Sequence, residues 1–273
     1  MTTSFRAFGL KSLTVALAIG FAPAAHSAIK TDIIMIVDES GSMGNVQANL
    51  RNNIGLFASI LSGGGLDAQY GLVGYGNNLV VPRMVTDLTN STNFAAAAQG
   101  LQLNGGTEPA YLASAFALNA LDGQSSLFSF RSDAIKNIII FTDEPSNGDT
   151  LARGAVGGNA VTQSVVDDLL KQNNALYNAA LSGISTSNSI GPLATGNHGQ
   201  VFNLTLFNTT NQQLITQFVT DFANAKLQET IDFCTANPTD PACVNNPIPE
   251  PGALALLGIG LMGLAAVRRR KSA

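Results

Sequence analysis

The run Ile33-Ile34-Met35-Ile36-Val37 is apolar at every position and rich in β-branched residues. It shows no alternation, so the strand it predicts must be covered on both faces. Beyond it, Val46, Leu50, Ile54, Phe57 and Leu61 recur at helical spacing. That predicts a helix over 45–61 with one apolar stripe, ended by Gly63-Gly64-Gly65. Tyr70-Gly71-Leu72-Val73-Gly74-Tyr75 reads as a short strand, and 79–85 as another whose Pro82 assigns it to a sheet edge. The polar break Thr89-Asn90-Ser91-Thr92-Asn93 precedes an alanine-rich helix over 94–101. A glycine-marked loop, Asn104-Gly105-Gly106-Thr107-Glu108-Pro109, then opens a helix over 110–121 with Pro109 in its first turn. Ile138-Ile139-Ile140-Phe141 is a second buried strand and ends in Thr142-Asp143-Glu144-Pro145. A helix over 161–171, strands over 176–181 and 200–207, and a closing helix over 214–231 complete the pattern. There is no internal repeat. Strands alternating with helices predict an α/β fold: a doubly wound, mainly parallel sheet flanked by helices, Rossmann-like in layout.

The two ends follow neither period. Arg6 and Lys11 precede an apolar stretch over 13–21 and then Ala22-Pro23-Ala24-Ala25-His26-Ser27-Ala28. This basic, apolar, small-residue order predicts a secretory signal peptide over 1–28. Cleavage after Ser27 sets Ala25 and Ser27 at the two small-residue positions, whereas cleavage after Ala28 would put the bulkier His26 at one of them. Residues 252–267 are uninterrupted apolar and glycine, with Arg268-Arg269-Arg270-Lys271 directly after. Flanking basic residues stay in the cytoplasm, so a short transmembrane helix here would leave the rest of the chain across the membrane. The run is shorter than the roughly 20 residues a full span requires. Pro249-Glu250-Pro251 stands just before it. Together these three parts resemble the PEP-CTERM sorting signal of Gram-negative bacteria. The resemblance implies an exported precursor held in the inner membrane and processed by an exosortase-type transpeptidase, for the cell envelope, the surface or an exopolysaccharide matrix. A plain tail anchor is the alternative. Gly258-Ile259-Gly260-Leu261-Met262-Gly263 matches the dinucleotide-binding glycine pattern by letter, but no strand precedes it and too little chain follows for a βαβ unit.

Removing the ends changes the charge balance. Between residues 28 and 267 stand eight basic and all eighteen acidic residues, a net charge of −10. With no clustered Lys and Arg, this excludes nucleic acid as a partner class, while the field attracts divalent cations. The remaining length suits one domain over 29–233, followed by a disulfide loop and Pro/Asn-rich linker over 234–251 and the sorting tail over 252–273. The two cysteines, Cys234 and Cys243, read as a disulfide in an oxidising envelope. They do not read as a metal pair, because no second Cys or His pair lies near them.

Candidate chemistry begins at Asp38-Glu39-Ser40-Gly41-Ser42, directly after the first strand. Alone, these residues are equally a turn and helix N-cap. In a doubly wound sheet, however, the loops after the strands share one edge, where ligands bind. Asp38, Ser40 and Ser42 from the first loop, Thr107 from the second and Asp143 from the third then converge as two carboxylates and three hydroxyls. These are hard donors suited to Mg²⁺ or Mn²⁺, without the imidazole or thiolate that favours zinc. Mg²⁺ takes six oxygens and commonly leaves several to water, so a partner's carboxylate could fill one position.

The whole set, over about residues 31–231, resembles the metal-ion-dependent adhesion site of von Willebrand factor type A domains. The resemblance implies that the five residues hold Mg²⁺, Mn²⁺ or Ca²⁺ and grip a protein or acidic polysaccharide through it. Glu144 stands where many members have Gly, and is either a further source of cation affinity or a solvent-facing charge, the usual state of Glu. Glu108 is equally a first-turn charge favoured by the helix dipole.

Enzyme chemistry is poorly supplied. His198 is the sole histidine after the leader and sits just before a strand, at the edge opposite the metal loops, so a Ser-His-Asp arrangement lacks its base. No Gly-x-Ser-x-Gly elbow or Walker sequence occurs. The leading expectation is an exported binding module, not an enzyme. The alternatives are a structural envelope or matrix protein whose metal only stabilises the fold, and a metal-dependent hydrolase.

Overall fold

The structure is a computed structural model that describes residues 28–244. The leader up to Ser27, Pro249-Glu250-Pro251 and the apolar run over 252–267 lie outside the described residues. Among the described residues no helix is long and apolar enough to cross a membrane.

A six-stranded sheet forms the centre, with β1 (Ile29–Asp38), β2 (Leu66–Tyr75), β3 (Arg83–Thr89), β4 (Ile135–Thr142), β7 (Leu176–Leu181) and β8 (Val201–Asn203) in the order β3-β2-β1-β4-β7-β8. All neighbours are parallel except β3, which pairs antiparallel with β2 at the edge. The short hairpin β5 (Ala155–Val156) and β6 (Asn159–Ala160) stands apart. Ile33, Met35 and Val37 of β1 pack into a core under α1 (Gly44–Gly63) and α6 (Gln212–Ala236). Ile34 and Ile36 point the other way, into a second core under α3 (Ala110–Ala117), α4 (Gln163–Gln172) and α5 (Ile184–Gly196). The unbroken apolar run thus has its cause in a sheet covered on both faces. The register sets Asp38 beside Tyr75, and Val37 beside Phe141, so that β1, β2 and β4 end level with one another.

Several boundaries differ from the sequence reading. The edge strand starts at Arg83, directly after Pro82, and not at 79, since proline lacks the donor a ladder needs. The alanine-rich helix over 94–101 is α2 (Ser91–Ala97) followed by a 3₁₀ turn, Ala98–Gly100. Helix α3 stops at Ala117 and not at 121. The strand expected over 200–207 is three residues long and turns into a 3₁₀ segment, Leu204–Leu206. Helix α5 has no counterpart in the sequence pattern. Its Ser, Thr, Gly and Pro192 content hides a buried stripe of Thr186, Ile190, Leu193 and Ala194.

Within the stretch expected as disulfide loop and linker over 234–251, the described part is largely helical. Helix α6 continues through Cys234 to Ala236, and α7 (Pro241–Val244) folds back so that Ala242 and Cys243 are buried in the α1/α6 core. Cys234 and Cys243 are disulfide-bonded, with Cα atoms 5.2 Å apart. Cys234, Ala242 and Cys243 thus pack with the core under α1 and α6. Replacing both cysteines with serine is expected to lower stability by about 2–3 kcal/mol through the freed unfolded-state loop. Urea unfolding checks it, and an unchanged midpoint would show that the disulfide adds nothing.

Candidate metal centre

Strand β1 delivers Asp38 to the carboxyl edge of the sheet, fully buried. Its Oδ1 accepts the Ser40 backbone N–H at 2.7 Å, and its Oδ2 accepts the Thr142 hydroxyl from the end of β4 at 2.8 Å. Extended backbone at Ser40 then leads into the 3₁₀ turn Gly41–Met43 and helix α1, which brings Ser42 back over the strand end. The Ser40 and Ser42 hydroxyls lie 3.1 Å apart, and Ser42 Oγ donates to Asp143 Oδ1 at 3.0 Å. Four of the five residues singled out from the sequence thus form one connected cluster across two loops.

The fifth, Thr107, lies on the same edge but makes no side-chain hydrogen bond among the described residues. Its loop is docked by backbone: Asn104 and Gly105 N–H groups both donate to Glu39 O, at 3.1 and 3.2 Å, and Gly105 bridges to Ser40. Gly105 packs so closely that a Cβ there would meet Gly76 O at 1.5 Å. The Thr107 methyl group flanks Gly148, in the segment that follows Asp143.

That segment is held from several sides. Thr186 Oγ1 donates to Asp143 O at 3.0 Å, Asp149 accepts the Leu112 N–H at 2.8 Å, and Ser146 accepts the Tyr111 N–H at 3.0 Å. From the far side, Asn208 Nδ2 donates to Ser42 O at 3.2 Å. The Asp143 loop is thereby fixed to the starts of α3 and α5, and the Ser42 turn to the loop before α6.

Two residues carry more than the sequence suggested. Glu39, fully buried, turns towards β2 and β3 and forms an ion pair with Arg83. It also accepts from Asn77 Nδ2 and Gln102 N–H, each at 2.7 Å. Glu108 is buried as well, clasped by Asn147 Nδ2 at 2.9 Å. Burial, with Glu144 and Asp143 nearby, raises its carboxyl above the usual range. A Glu opening a helix is ordinary in sequence, so no signal marked this one. Glu144 itself is exposed.

Burial pushes the Asp38 carboxyl up to about 7, outweighing the hydrogen bonds from Ser40 and Thr142, and Glu108 adds to the rise. No Lys or Arg forms an ion pair with Asp38 among the described residues. The Tyr75 hydroxyl is buried beside Thr142 and Asp38 at the end of β2, and burial raises it well above the usual phenol range. Among the described residues no three His, Cys, Asp or Glu side chains gather as a metal cluster. The donors here are instead hydroxyls joined to carboxylates, a set that fits a small hard divalent cation. His198 lies in the turn whose Asn197 O accepts the Tyr177 N–H, at the amino end of β7 and so at the edge opposite the centre.

Helices on both faces of a mainly parallel sheet, with oxygen-rich loops gathered at its carboxyl edge, define an α/β domain of the kind that binds ligands at that edge. The chain belongs to the von Willebrand factor type A domain family, whose model matches residues 32–217. Domains of this family are typically binding modules rather than enzymes. A second model, the PEP-CTERM protein-sorting motif, matches residues 247–271. That motif marks an exported, exosortase-processed protein of the Gram-negative envelope. No curated protein matches the chain.

Proposed function

We propose that this protein is an envelope- or matrix-associated binding module that grips an acidic ligand through a divalent cation, Mg²⁺ or else Mn²⁺ or Ca²⁺. Asp38, Ser40, Ser42, Thr107 and Asp143 would hold the ion. The observation that carries this reading is the hydrogen-bonded cluster from Asp38 through Ser40 and Ser42 to Asp143. A bound cation supplies an electrophilic position that a ligand's carboxylate can occupy. The chain's own part is orientation: Thr142 and the Ser40 N–H fix both Asp38 oxygens, while Ser42 ties the first loop to the third. Before exosortase processing, the run over 252–267 would anchor the exported chain in the inner membrane, with its basic tail in the cytoplasm.

Titration calorimetry tests the centre. Native protein is expected to take up one Mg²⁺, and Ser42→Ala to weaken uptake about tenfold by removing one hydroxyl donor and the link between the loops. Capture of an envelope ligand that persists in EDTA and in Asp38→Ala would sink the proposal. A second reading, in which the cation only stabilises the domain, draws on the deep burial of Asp38. It expects the melting temperature to follow Mg²⁺ while no ligand is captured in a cation-dependent way.

A further inference from the structure

Three polar side chains meet in the apolar core between the sheet and α6, apart from the metal centre. Asn178 stands on β7, on the face that carries Leu176 and Ala180, while Lys226 and Glu229 lie one turn apart on α6. Lys226 and Asn178 are each 1% exposed and Glu229 is 9% exposed. Lysine and glutamate are seldom enclosed to this degree. Glu229 joins the other two. The Lys226 amine is bound to its Oε2, and Asn178 Nδ2 donates to Oε1 at 3.2 Å and to Oε2 at 3.1 Å. The amine and the carboxamide therefore share one carboxylate oxygen.

The surroundings suit a reaction between them. An ammonium has three donors, and Glu229 is the one hydrogen-bond partner of Lys226 Nζ among the described residues. Burial lowers the Lys226 pKa although the Glu229 charge and hydrogen bond raise it, and a desolvated lysine is a nucleophile in its neutral form. The Asn178 carbonyl oxygen accepts the Gln200 N–H at 3.1 Å, a donor that polarises the carbonyl and would steady an oxyanion on it. Gly199 allows this approach, since a Cβ there would meet Tyr177 O at 1.7 Å and Asn178 Nδ2 at 2.8 Å.

We propose that the folded domain joins Lys226 to Asn178 through a side-chain isopeptide bond, with Glu229 as the catalytic residue. A proton first passes from the Lys226 ammonium to Glu229, which leaves a neutral amine beside a carboxylic acid. Nζ attacks Asn178 Cγ, and a Cγ–Nζ bond forms. Nζ gives a proton to Glu229 while the Glu229 carboxyl gives one to Nδ2, so the Cγ–Nδ2 bond breaks and ammonia leaves. One amide replaces another, with no oxidant, reductant or energy source consumed. The apolar core keeps water from competing as nucleophile, and the shared carboxylate supplies the proximity. The product ties α6 to β7 and closes the chain between residues 178 and 226. Unlike the link between Cys234 and Cys243, this tie survives reducing agent. It is independent of the metal-centre reading.

Peptide mapping of the full chain, purified, reduced and denatured, tests it by mass spectrometry. Chymotrypsin cuts after Tyr177, Phe202, Phe222 and Phe233 and so parts Asn178 from Lys226. The fragments 178–202 and 223–233 are expected as one branched peptide, lighter than their sum by one ammonia, with the link fragmenting at Asn178 and Lys226. Trypsin should fail to cut after Lys226, whose amine is then an amide. Glu229→Gln keeps the side chain's shape but cannot carry the proton, so it should leave both fragments free and restore the tryptic cut. Lys226→Met should also leave them free. Native chain that yields the two fragments unlinked and is cut after Lys226 overturns the proposal, and this map decides even where a variant fails to fold. A link placed on another residue overturns it too, as does a branched peptide that persists in Glu229→Gln.

Discussion

In chelator at pH 8, Asp38→Asn will melt at a higher temperature than the native chain, and magnesium will no longer move its midpoint. The native carboxyl is fully buried, and its pKa is raised from 3.8 to about 7, chiefly by burial. An acid raised in this way binds a proton more readily folded than unfolded. Its effect on stability is therefore neutral below about pH 4, grows unfavourable as pH climbs from there to about 7, and stays so above. A rise of that size corresponds to at most about 4 kcal/mol, or on the order of 10 °C for a domain of this length. Asparagine keeps the geometry without the charge. Its carbonyl still accepts from Ser40, and its amide can donate to Thr142, whose hydroxyl already reaches Glu144 O at 3.2 Å. A bound cation should offset the same penalty, so Mg²⁺ is expected to raise the native midpoint more at pH 8 than at pH 5. Calorimetric melts at the two pH values decide it. A variant less stable than native in chelator at pH 8, or a native midpoint indifferent to Mg²⁺, would refute the electrostatic account.

Arg83→Met is expected to destabilise the domain by about 3–5 kcal/mol, because it leaves the buried Glu39 carboxylate without its counter-charge. Asn77 and Gln102 would remain as donors but carry no charge to balance it. Disorder should spread to the centre, since Glu39 O is the acceptor that docks the Thr107 loop. Adding Glu39→Gln to Arg83→Met should recover part of the loss, a coupling a double-mutant cycle in urea can read. A single-variant loss under about 1 kcal/mol would mean that water reaches and screens the pair.

The sequence exposes those parts of the fold whose local pattern and tertiary role agree. Strands β1 and β4 are β-branched runs buried on both faces, and α1 carries a stripe of five large residues, so each is legible alone. Helix α5 is not, because its helicity comes from packing on β7 and not from propensity, which Ser, Gly and Pro192 oppose. The same division runs through the centre. Asp38, Ser40, Ser42 and Asp143 sit at strand ends, and strand ends can be located from apolar runs. Glu39 and Glu108 take their roles from Arg83 and Asn147, partners 44 and 39 residues away along the chain. Nothing within a short window distinguishes them from solvated acids.

The closure of Cys234 onto Cys243 determines where a pull on this domain would be felt. It fixes α7 near the start of β7, where Asn174 donates to Asp240 at 3.0 Å, so the chain departs at the amino edge of the sheet, opposite the loops that carry Asp38 and Asp143. Tension between a captured partner and a tethered tail would run lengthwise along β1, β4 and β7. Their ladders would then be loaded in shear, with many hydrogen bonds sharing the force at once, while the disulfide keeps the end of α6 from peeling away first.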